Sequence, residues 1–235
     1  MPTSIRPERW DSADAYEPFV GRWSRLVARQ FIEWLQQPRG RRWVDVGCGT
    51  GAVSDTILTV ADPAFVHGID PSSAFVRYAQ GRLGGPRASF RIGDAEALPV
   101  HDAATDAAVS GLVLNFVRAP ERAVEEMARI VRPGGVVGAF VWDYADKMEM
   151  IRYFWDAAVA LDGTARRQDE GVRFSLCRTE RLVTLFGSAG LTRVEARAID
   201  VNTTFRNFED YWEPFLVGRA PAPAYAASVV FPNFH

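Results

Sequence analysis

The chain has 235 residues, of which 48% are hydrophobic and 24% are charged, and its formal net charge is -2. This length and composition are typical of one large globular domain with a sizeable core. The near-neutral charge gives no reason to expect a nucleic-acid partner, because phosphate binding usually leaves a strongly basic face. Two cysteines are too few for a disulfide framework, and no stretch approaches the roughly 20 apolar residues that span a bilayer. The N-terminus also lacks the pattern of a signal peptide, so we expect a cytoplasmic protein with no membrane partner.

Apolar runs alternate with helix-like segments over the first 145 residues. Residues 1–24 are polar and broken by prolines, and they are predicted to form an N-terminal arm. Five strands are predicted in the core that follows, at residues 43–46, 65–69, 89–92, 107–114 and 136–142. Near-continuous apolar strands separated by helices indicate an α/β fold, with a mostly parallel, Rossmann-like sheet covered by helices on both faces.

The alternation changes after residues 25–145, which are predicted to form the core. Residues 146–178 are predicted to form a helical insert. Residues 179–235 are predicted to supply a helix and a sixth strand at 194–201 that complete the sheet, followed by an irregular tail that includes 220–227.

A seventh strand is not evident at the end of the sequence. Only residues 229–231 are apolar enough to pair, and Pro232 lacks the N–H donor that a central strand needs. We expect the seventh strand to be missing or reduced to a stub. The tail, direct pairing of the fifth and sixth strands, or a partner chain would then cover the exposed backbone.

A glycine-rich segment, Gly47-Cys48-Gly49-Thr50-Gly51, follows the first strand and precedes a helix. Glycines allow the backbone to turn sharply and to approach a ligand closely, and ligands of open α/β sheets bind at the carboxyl ends of strands. Asp70 ends the second strand, where a carboxylate can accept both hydroxyls of a ribose. These residues alone fit a nicotinamide dinucleotide and S-adenosylmethionine (SAM) equally well.

The rest of the chain resembles the class I SAM-dependent methyltransferases, in particular the small-molecule group related to ubiquinone and menaquinone biosynthesis methyltransferases. The segments that carry the resemblance are residues 44–51 (VDVGCGTG), 68–70 (GID), 93–99 (GDAEALP), 106–116 and 129–135 (RIVRPGG). A dinucleotide enzyme has no reason to carry the third and fifth of these together. The resemblance implies SAM as the cofactor and a small molecule as the methyl acceptor. Residues 25–145 would then be the SAM-binding core, and the insert at 146–178 would lie on the substrate side.

The resemblance also implies a role for each residue of the glycine loop. The backbone of Gly47, Cys48 and Gly49 packs against the methionine part of SAM, and Asp70 binds the ribose hydroxyls. Asp45 either lies close to the amino group of the ligand or only braces the loop.

Residues after the third and fourth strands complete the implied cofactor site. Asp94 would hydrogen-bond the adenine amino group, with the backbone of Ala95 at the ring. Three consecutive residues would line the site near the sulfonium: Ser110, Gly111 and Leu112.

Three further residues are candidates for the rest of the site. Arg22 is placed to meet the SAM carboxylate, and the arm over residues 1–24 that contains it is expected to be a mobile lid that orders when SAM binds. Asp143 and Tyr144 follow the fifth strand and are candidate general bases, although Asp143 is equally suited to capping the next helix. No group of residues has metal-ligand spacing, so no metal is predicted.

Two alternatives to a small-molecule methyltransferase remain at this stage. One is a SAM-binding protein without catalysis, and the other, less favoured by the later motifs, is a nicotinamide-dependent oxidoreductase. A monomer or a homodimer is expected.

Overall fold

A computed structural model describes residues 22–217 and 221–230. The predicted arm over residues 1–24, and with it the predicted lid, therefore lies almost wholly outside the described residues. The described chain forms two compact units. The sheet unit comprises Trp23–Asp143 and Ser175–Val201, and the helical unit contains Arg22, Tyr144–Phe174 and the described residues from Asn202 onward.

Five parallel strands form the sheet in the order β3-β2-β1-β4-β5. Their bounds are β1 (Arg42–Val46), β2 (Phe65–Asp70), β3 (Ala88–Ile92), β4 (Thr105–Gly111) and β5 (Val131–Phe140). Because all neighbouring pairs are parallel, the carboxyl ends of the five strands lie along one edge, here called the carboxyl edge. The central strand β1 is paired on both sides, with Asp45 opposite Gly68 of β2 and Val109 of β4.

Nine helices are found in the described residues: α1 (Arg22–Trp34), α2 (Ala52–Val60), α3 (Ser73–Leu83), α4 (Pro120–Ile130), α5 (Glu149–Leu161), α6 (Glu170–Arg173), α7 (Thr179–Ser188), α8 (Phe208–Val217) and α9 (Pro221–Val230). Helices α1, α2 and α3 bury apolar residues in a core cluster with Trp43 and Val109. Helices α4 and α7 contribute to a second cluster, with Val44 and Ala108. Successive residues of β1 and β4 thus belong to different clusters, as expected for strands covered on both faces, and the predicted Rossmann-like fold is confirmed.

Two helix starts follow from local sequence. The side chain of Ser72 accepts a hydrogen bond from the backbone N–H of Phe75 at 3.4 Å, which is the usual role of a serine at an N-cap. Pro120 occupies the start of α4, where its missing N–H has no helical partner to lose.

The fifth strand begins earlier than the sequence suggested. Thr105 of β4 pairs with Val131, but Ala107 pairs with Val136, so the intervening residues of β5 bulge out of register. The segment Pro133-Gly134-Gly135, which precedes the strand predicted at 136–142, lies within this bulge, and Gly134 has a φ of 79°.

The predicted sixth strand at residues 194–201 is wrong. These residues form no strand, and five of them, residues 195–198 and 200, are exposed. Val194 packs against the cluster that contains α4 and α7, whereas Ile199 and Val201 pack against the cluster of α1–α3. The alternating apolar residues therefore pack this segment against both clusters, and its backbone forms no hydrogen-bonded ladder with a strand. Direct pairing with β5 is not observed, and β5 is an edge strand of the described sheet.

The end of the described chain is helical. Residues 220–227 were predicted as part of an irregular tail, but α9 covers Pro221–Val230. Val229 therefore lies in a helix, which contradicts its prediction as part of a strand stub; Phe231 lies outside the described residues.

The helical unit is held together by aromatic rings. Phe154 of α5 stacks on Phe215 of α8 with ring centroids 4.8 Å apart and meets Tyr225 of α9 edge-on at 6.2 Å. Trp155 and Phe215 are fully buried, so these rings serve packing, whereas Tyr153 is exposed. None of the helices in the described ranges is long and apolar enough to cross a membrane.

Candidate cofactor site at the carboxyl edge

The glycine loop between β1 and α2 is anchored to the end of β2. The backbone N–H groups of Gly47 and Cys48 both donate to the carbonyl of Ile69, at 2.7 and 3.0 Å. Gly47 and Gly49 have φ values of 72° and 52°, in the left-handed region that favours glycine. A β-carbon on Gly47 would lie 2.4 Å from the side chain of Val113, whereas one on Gly49 would meet no heavy atom within 4 Å. The loop therefore packs tightly at Gly47 and faces open space at Gly49.

Asp70, at the end of β2, holds this loop through hydrogen bonds to its carboxylate. One of its carboxylate oxygens accepts the N–H of Gly49 at 2.9 Å, and the other accepts the N–H of Ser72 at 2.8 Å. Burial raises the pKa of Asp70, and the two backbone hydrogen bonds act against that rise. Each carboxylate oxygen has a second lone pair, so the same group retains capacity to accept ribose hydroxyls.

Asp45 lies inside the sheet unit, with 1% of its surface exposed. Its Oδ2 accepts a 2.7 Å hydrogen bond from the hydroxyl of Ser54, while its Oδ1 is buried without a hydrogen-bond partner. Burial raises the pKa of Asp45 to about 7, although hydrogen bonding from Ser54 lowers it. The group is thus a desolvated carboxyl with one oxygen unsatisfied, which a cationic ligand group would stabilise.

Cys48 contributes backbone to the loop, and its thiol is buried. Burial together with the neighbouring Asp45 and Asp70 raises the pKa of this thiol well above the usual range. Because the thiolate is the nucleophilic form, a higher pKa makes the thiol a weaker nucleophile.

The end of β3 places the predicted adenine-binding residues at the same edge. Asp94 is exposed, and its Oδ1 accepts the N–H of Glu96 at 2.9 Å, which closes a tight turn with Ala97. Ala95 is buried beneath this turn. The N–H of Gly93 donates to the carbonyl of Asp70 at 3.1 Å, so a backbone hydrogen bond joins the turn at Asp94 to the end of β2.

The three residues at the end of β4 differ in what they offer a ligand. Ser110 is fully buried, and its hydroxyl donates to the carbonyl of Val46 at 2.9 Å, so this side chain ties β4 to β1. A β-carbon on Gly111 would lie within 3 Å of Phe140 and Val53. Leu112 has a φ of 64°, an unusual conformation for a leucine that stores strain next to the glycine loop.

Of the three remaining predicted residues, two lie in the helical unit and one lies in the sheet unit. Arg22 lies in the helical unit, where its guanidinium pairs with Asp210 at 3.4 Å and lies 4.8 Å above the ring of Phe205. Tyr144 is also in that unit, and its ring packs against Phe174. Asp143 lies in the sheet unit just past β5.

Asp143 does not cap the following helix. Helix α5 begins at Glu149, and Met148 occupies its N-cap position without a side-chain hydrogen bond. The capping role that the sequence left open for Asp143 is therefore wrong, and the alternative role as a general base stays a prediction. No cluster of residues suited to hold a metal ion occurs in the described part of the chain.

Two residues of the carboxyl edge escaped the sequence analysis. Ser54 is fully buried in α2 and supplies the one hydrogen bond of Asp45. Asn115 follows β4, and its amide has a buried oxygen without a hydrogen-bond partner. A hydroxyl residue on the buried face of the helix after a glycine loop was the available signal for Ser54. No pattern in the sequence marks Asn115.

Comparison with known families gives a match over part of the chain. Residues 44–139 match the family described as a methyltransferase domain. Over this stretch the chain is similar to methyltransferase domains. The matched region begins within β1 and ends within β5, so it covers the glycine loop, Asp70, Asp94 and the end of β4.

Curated relatives match over the same part of the chain. A demethylmenaquinone methyltransferase from Desulfitobacterium hafniense is 34% identical over 114 residues, covering 46% of this chain and 45% of that protein. A malonyl-[acyl-carrier protein] O-methyltransferase from Methylococcus capsulatus is 30% identical over 121 residues, covering 51% and 44%. The matched region thus covers less than half the length of either relative.

Solved structures extend the likeness of fold beyond the family match. A putative methyltransferase from Haloferax volcanii, solved with the Trm112 methyltransferase activator, superposes with a TM-score of 0.65 at 20% identity, covering 97% of this chain and 95% of that one. A putative SAM-dependent methyltransferase from Methanococcus maripaludis gives a TM-score of 0.57 at 20% identity, covering 77% and 83%. At this level of identity the likeness concerns the fold.

Proposed function

We propose that this chain is a SAM-dependent methyltransferase that acts on a small molecule. The observation that carries the proposal is the buried Oδ1 of Asp45, which has no partner and lies behind a glycine loop that faces open space at Gly49. A carboxyl of this kind fits the ammonium of the methionine part of SAM. A nicotinamide dinucleotide has no aliphatic ammonium to offer it.

The chain's residues divide the recognition of SAM among three strand ends. Asp45 meets the ammonium, the second lone pairs of Asp70 accept the ribose hydroxyls, and Asp94 accepts the adenine amino group. The backbone of Gly47 to Gly49 and of Ser110 to Leu112 forms the walls near the sulfonium. Arg22 meets the carboxylate only if it exchanges its contacts with Asp210 and Phe205.

Bound SAM supplies a methyl group that is already activated on a sulfonium. The protein therefore acts mainly by orienting an acceptor in line with the methyl–sulfur bond and by excluding water. Asp143 is the candidate base for an acceptor that must lose a proton, and Tyr144 is the second candidate. The names of the two relatives, which denote methylation of a quinone precursor and of a carrier-bound malonyl group, support a small-molecule acceptor. We also place the protein in the cytoplasm, as a monomer or homodimer.

Calorimetry with SAM and with NADH tests the choice of cofactor. We expect SAM to bind and NADH not to bind, and Asp45→Asn to weaken SAM binding. Asp200→Asn, at an exposed position, is the matched control and should leave the affinity unchanged. Binding of NADH in place of SAM would contradict the proposal.

Methyl transfer from SAM to a panel of metabolites tests catalysis separately. Transfer to any member supports the enzyme. Tight SAM binding without transfer to any member would instead favour a SAM-binding protein that does not catalyse.

A further inference from the structure

The loop after β4 is seated directly on the glycine loop. The side chain of Val113 fills the space where a β-carbon of Gly47 would lie. The N–H of Leu112 donates to the carbonyl of Phe140 at 2.8 Å, and the N–H of Phe116 closes a turn onto the carbonyl of Val113 at 2.8 Å. Residues 112–116 are thus fixed at the carboxyl edge, next to the proposed methionine end of the cofactor.

Asn115 is the polar side chain of this loop. Its Nδ2 donates to the sulfur of Cys177 at 3.7 Å, and Cys177 is buried in the short helical turn Ser175–Cys177 of the same unit. Its Oδ1 is buried and has no hydrogen-bond partner. A buried acceptor left unsatisfied is costly, and native proteins seldom keep one without a reason.

A second such oxygen lies on the neighbouring strand. The Oδ1 of Asp45 is also buried without a partner, and Asp45 of β1 is paired with Val109 of β4. Among the described residues, these are the buried side-chain oxygens that lack a partner. The ammonium of SAM accounts for Asp45, but nothing in the proposed recognition of SAM accounts for Asn115.

The chemistry of the amide limits what can satisfy Asn115. An amide oxygen only accepts hydrogen bonds, so its missing partner must carry an O–H or N–H group. Because the amide is neutral, it has no charge with which to select an ionised ligand. The hydrogen bond to Cys177 occupies the other end of the amide and keeps the oxygen turned away from the sulfur.

We propose that Asn115 binds the methyl acceptor through its Oδ1, and that the acceptor is a molecule with a hydroxyl or amine N–H at this point. This inference rests on the proposed function. Cys177 acts as a positioning residue, because its sulfur orients the amide. Asn115 thereby selects acceptors with a hydrogen-bond donor over those of equal shape without one.

The test uses two pairs of probes on the full chain saturated with S-adenosylhomocysteine. Phenol and aniline carry a donor, and anisole and toluene are aromatic partners without one. Side-chain amide signals in ¹⁵N–¹H spectra report contact, with the Asn115 signal assigned by its loss in Asn115→Leu. We expect phenol and aniline to shift this signal and to bind about tenfold more tightly than anisole and toluene.

Variants separate recognition from structure. Asn115→Leu keeps the side-chain size and should abolish the preference for phenol, whereas Asn115→Asp keeps an acceptor and should retain it. Cys177→Ala should reduce the preference, because the amide loses its orientation. Asn202→Leu, at an exposed position, is the control and should change nothing.

Two outcomes would overturn the inference. One is an Asn115 signal that neither phenol nor aniline moves in the wild-type protein, and the other is an Asn115→Leu variant that keeps the full preference. Calorimetry with SAM on each variant distinguishes these failures from failure of the proposed function. Normal SAM binding beside either outcome rejects the role of Asn115 alone, whereas absent SAM binding in the wild type rejects the methyltransferase.

Discussion

Among the described residues, the most deeply buried carboxyl group of the sheet unit is Asp45 and that of the helical unit is Glu170, and the two differ in how fully they are hydrogen-bonded. In the sheet unit, Asp45 accepts one hydrogen bond, from Ser54, and its second oxygen has no partner. In the helical unit, Glu170 accepts from the indole N–H of Trp155 and from the backbone N–H of Ala222 at the start of α9. Burial raises the pKa of each to about 7.

The difference teaches that a shifted pKa does not by itself mark a functional site. Glu170 has a donor on each oxygen, and the adjacent Asp169 is held by Arg152 through two bonds of 2.8 and 2.7 Å. Its burial is therefore explained by the packing of α5, α6 and α9. The contacts of Asp45 within its own unit leave its Oδ1 without a hydrogen-bond donor, and a bound ligand would supply that donor.

The largest effect on stability is expected from Glu170→Ala. The change leaves the N–H groups of Trp155 and Ala222 buried without an acceptor, which should lower the free energy of unfolding by about 2–4 kcal/mol. Urea denaturation measures this loss, and Glu213→Ala, at an exposed position of the same unit, should cost less than about 0.5 kcal/mol. SAM affinity should change less than twofold. An unchanged stability, or a collapse of SAM binding in a folded variant, would reverse the roles assigned to the two carboxyls.

Asp70→Ala should produce the largest loss of SAM affinity. Removing a carboxylate that binds the ribose and also holds the N–H of Gly49 should cost about 2–4 kcal/mol, or roughly thirty- to a thousandfold in affinity. Calorimetry measures the affinity, and circular dichroism checks that the fold is intact. Asp70→Asn keeps one acceptor oxygen and should lose less. Equal SAM affinity in the wild type and the alanine variant is incompatible with the ribose assignment.

The two loop glycines offer a matched pair within the sheet unit. A β-carbon on Gly47 meets Val113 at 2.4 Å, so Gly47→Ala should destabilise the fold by about 2–3 kcal/mol. Gly49→Ala meets no atom within 4 Å and should cost only the strain of its left-handed backbone, about 1–2 kcal/mol, while it weakens SAM binding.

Thermal denaturation and calorimetry compare the two variants. Val113→Ala should partly rescue the stability of Gly47→Ala, because it removes the side chain that the new β-carbon meets. It should not rescue SAM binding in Gly49→Ala. If Gly49→Ala destabilises the fold as much as Gly47→Ala, the space at Gly49 is not open in solution.

The sequence predicted the strands well where buried apolar residues also pair with a neighbouring strand through backbone hydrogen bonds. Strands β1, β2 and β3 were predicted to within one residue, because each contains a short run with buried apolar side chains. The prediction of a strand at residues 194–201 failed because an alternating apolar pattern indicates which side chains are buried. It does not indicate whether the backbone pairs with a neighbouring strand. Residues 195–198 are exposed, and no neighbouring strand recruits them into a ladder.

The candidate site was predictable only in part, for a related reason. Asp45, Asp70 and the glycines belong to a contiguous motif, so sequence alone marks them. The significance of Asn115 depends on Cys177, 62 residues away, and that of Glu170 on Ala222, 52 residues away. Their burial and satisfaction arise from packing between distant segments, which periodicity cannot reveal.

A smaller effect, on the pH dependence of stability, tests the comparison most directly. Both carboxyls have a pKa of about 7 in the folded protein and near 4 when exposed, so the folded state holds protons that the unfolded state has released. The free energy of unfolding should therefore fall as the pH rises from about 4 to about 7 and then level off. Asp45→Asn should remove the contribution of Asp45 to this pH dependence while keeping an oxygen that accepts from Ser54. Glu170→Gln should remove the contribution of Glu170.

Saturating SAM should remove only the part of the slope that belongs to Asp45. An ammonium beside its Oδ1 stabilises the ionised carboxyl and lowers its pKa, so SAM affinity should rise by up to about tenfold per pH unit between about pH 6 and pH 7. In Asp45→Asn that rise should disappear, whereas in Glu170→Gln it should persist, because Glu170 has both oxygens occupied within its own unit. Urea denaturation across this range, with and without SAM, measures the slopes. A slope that SAM changes equally in Asp45→Asn and in the wild type would mean that the ammonium lies elsewhere.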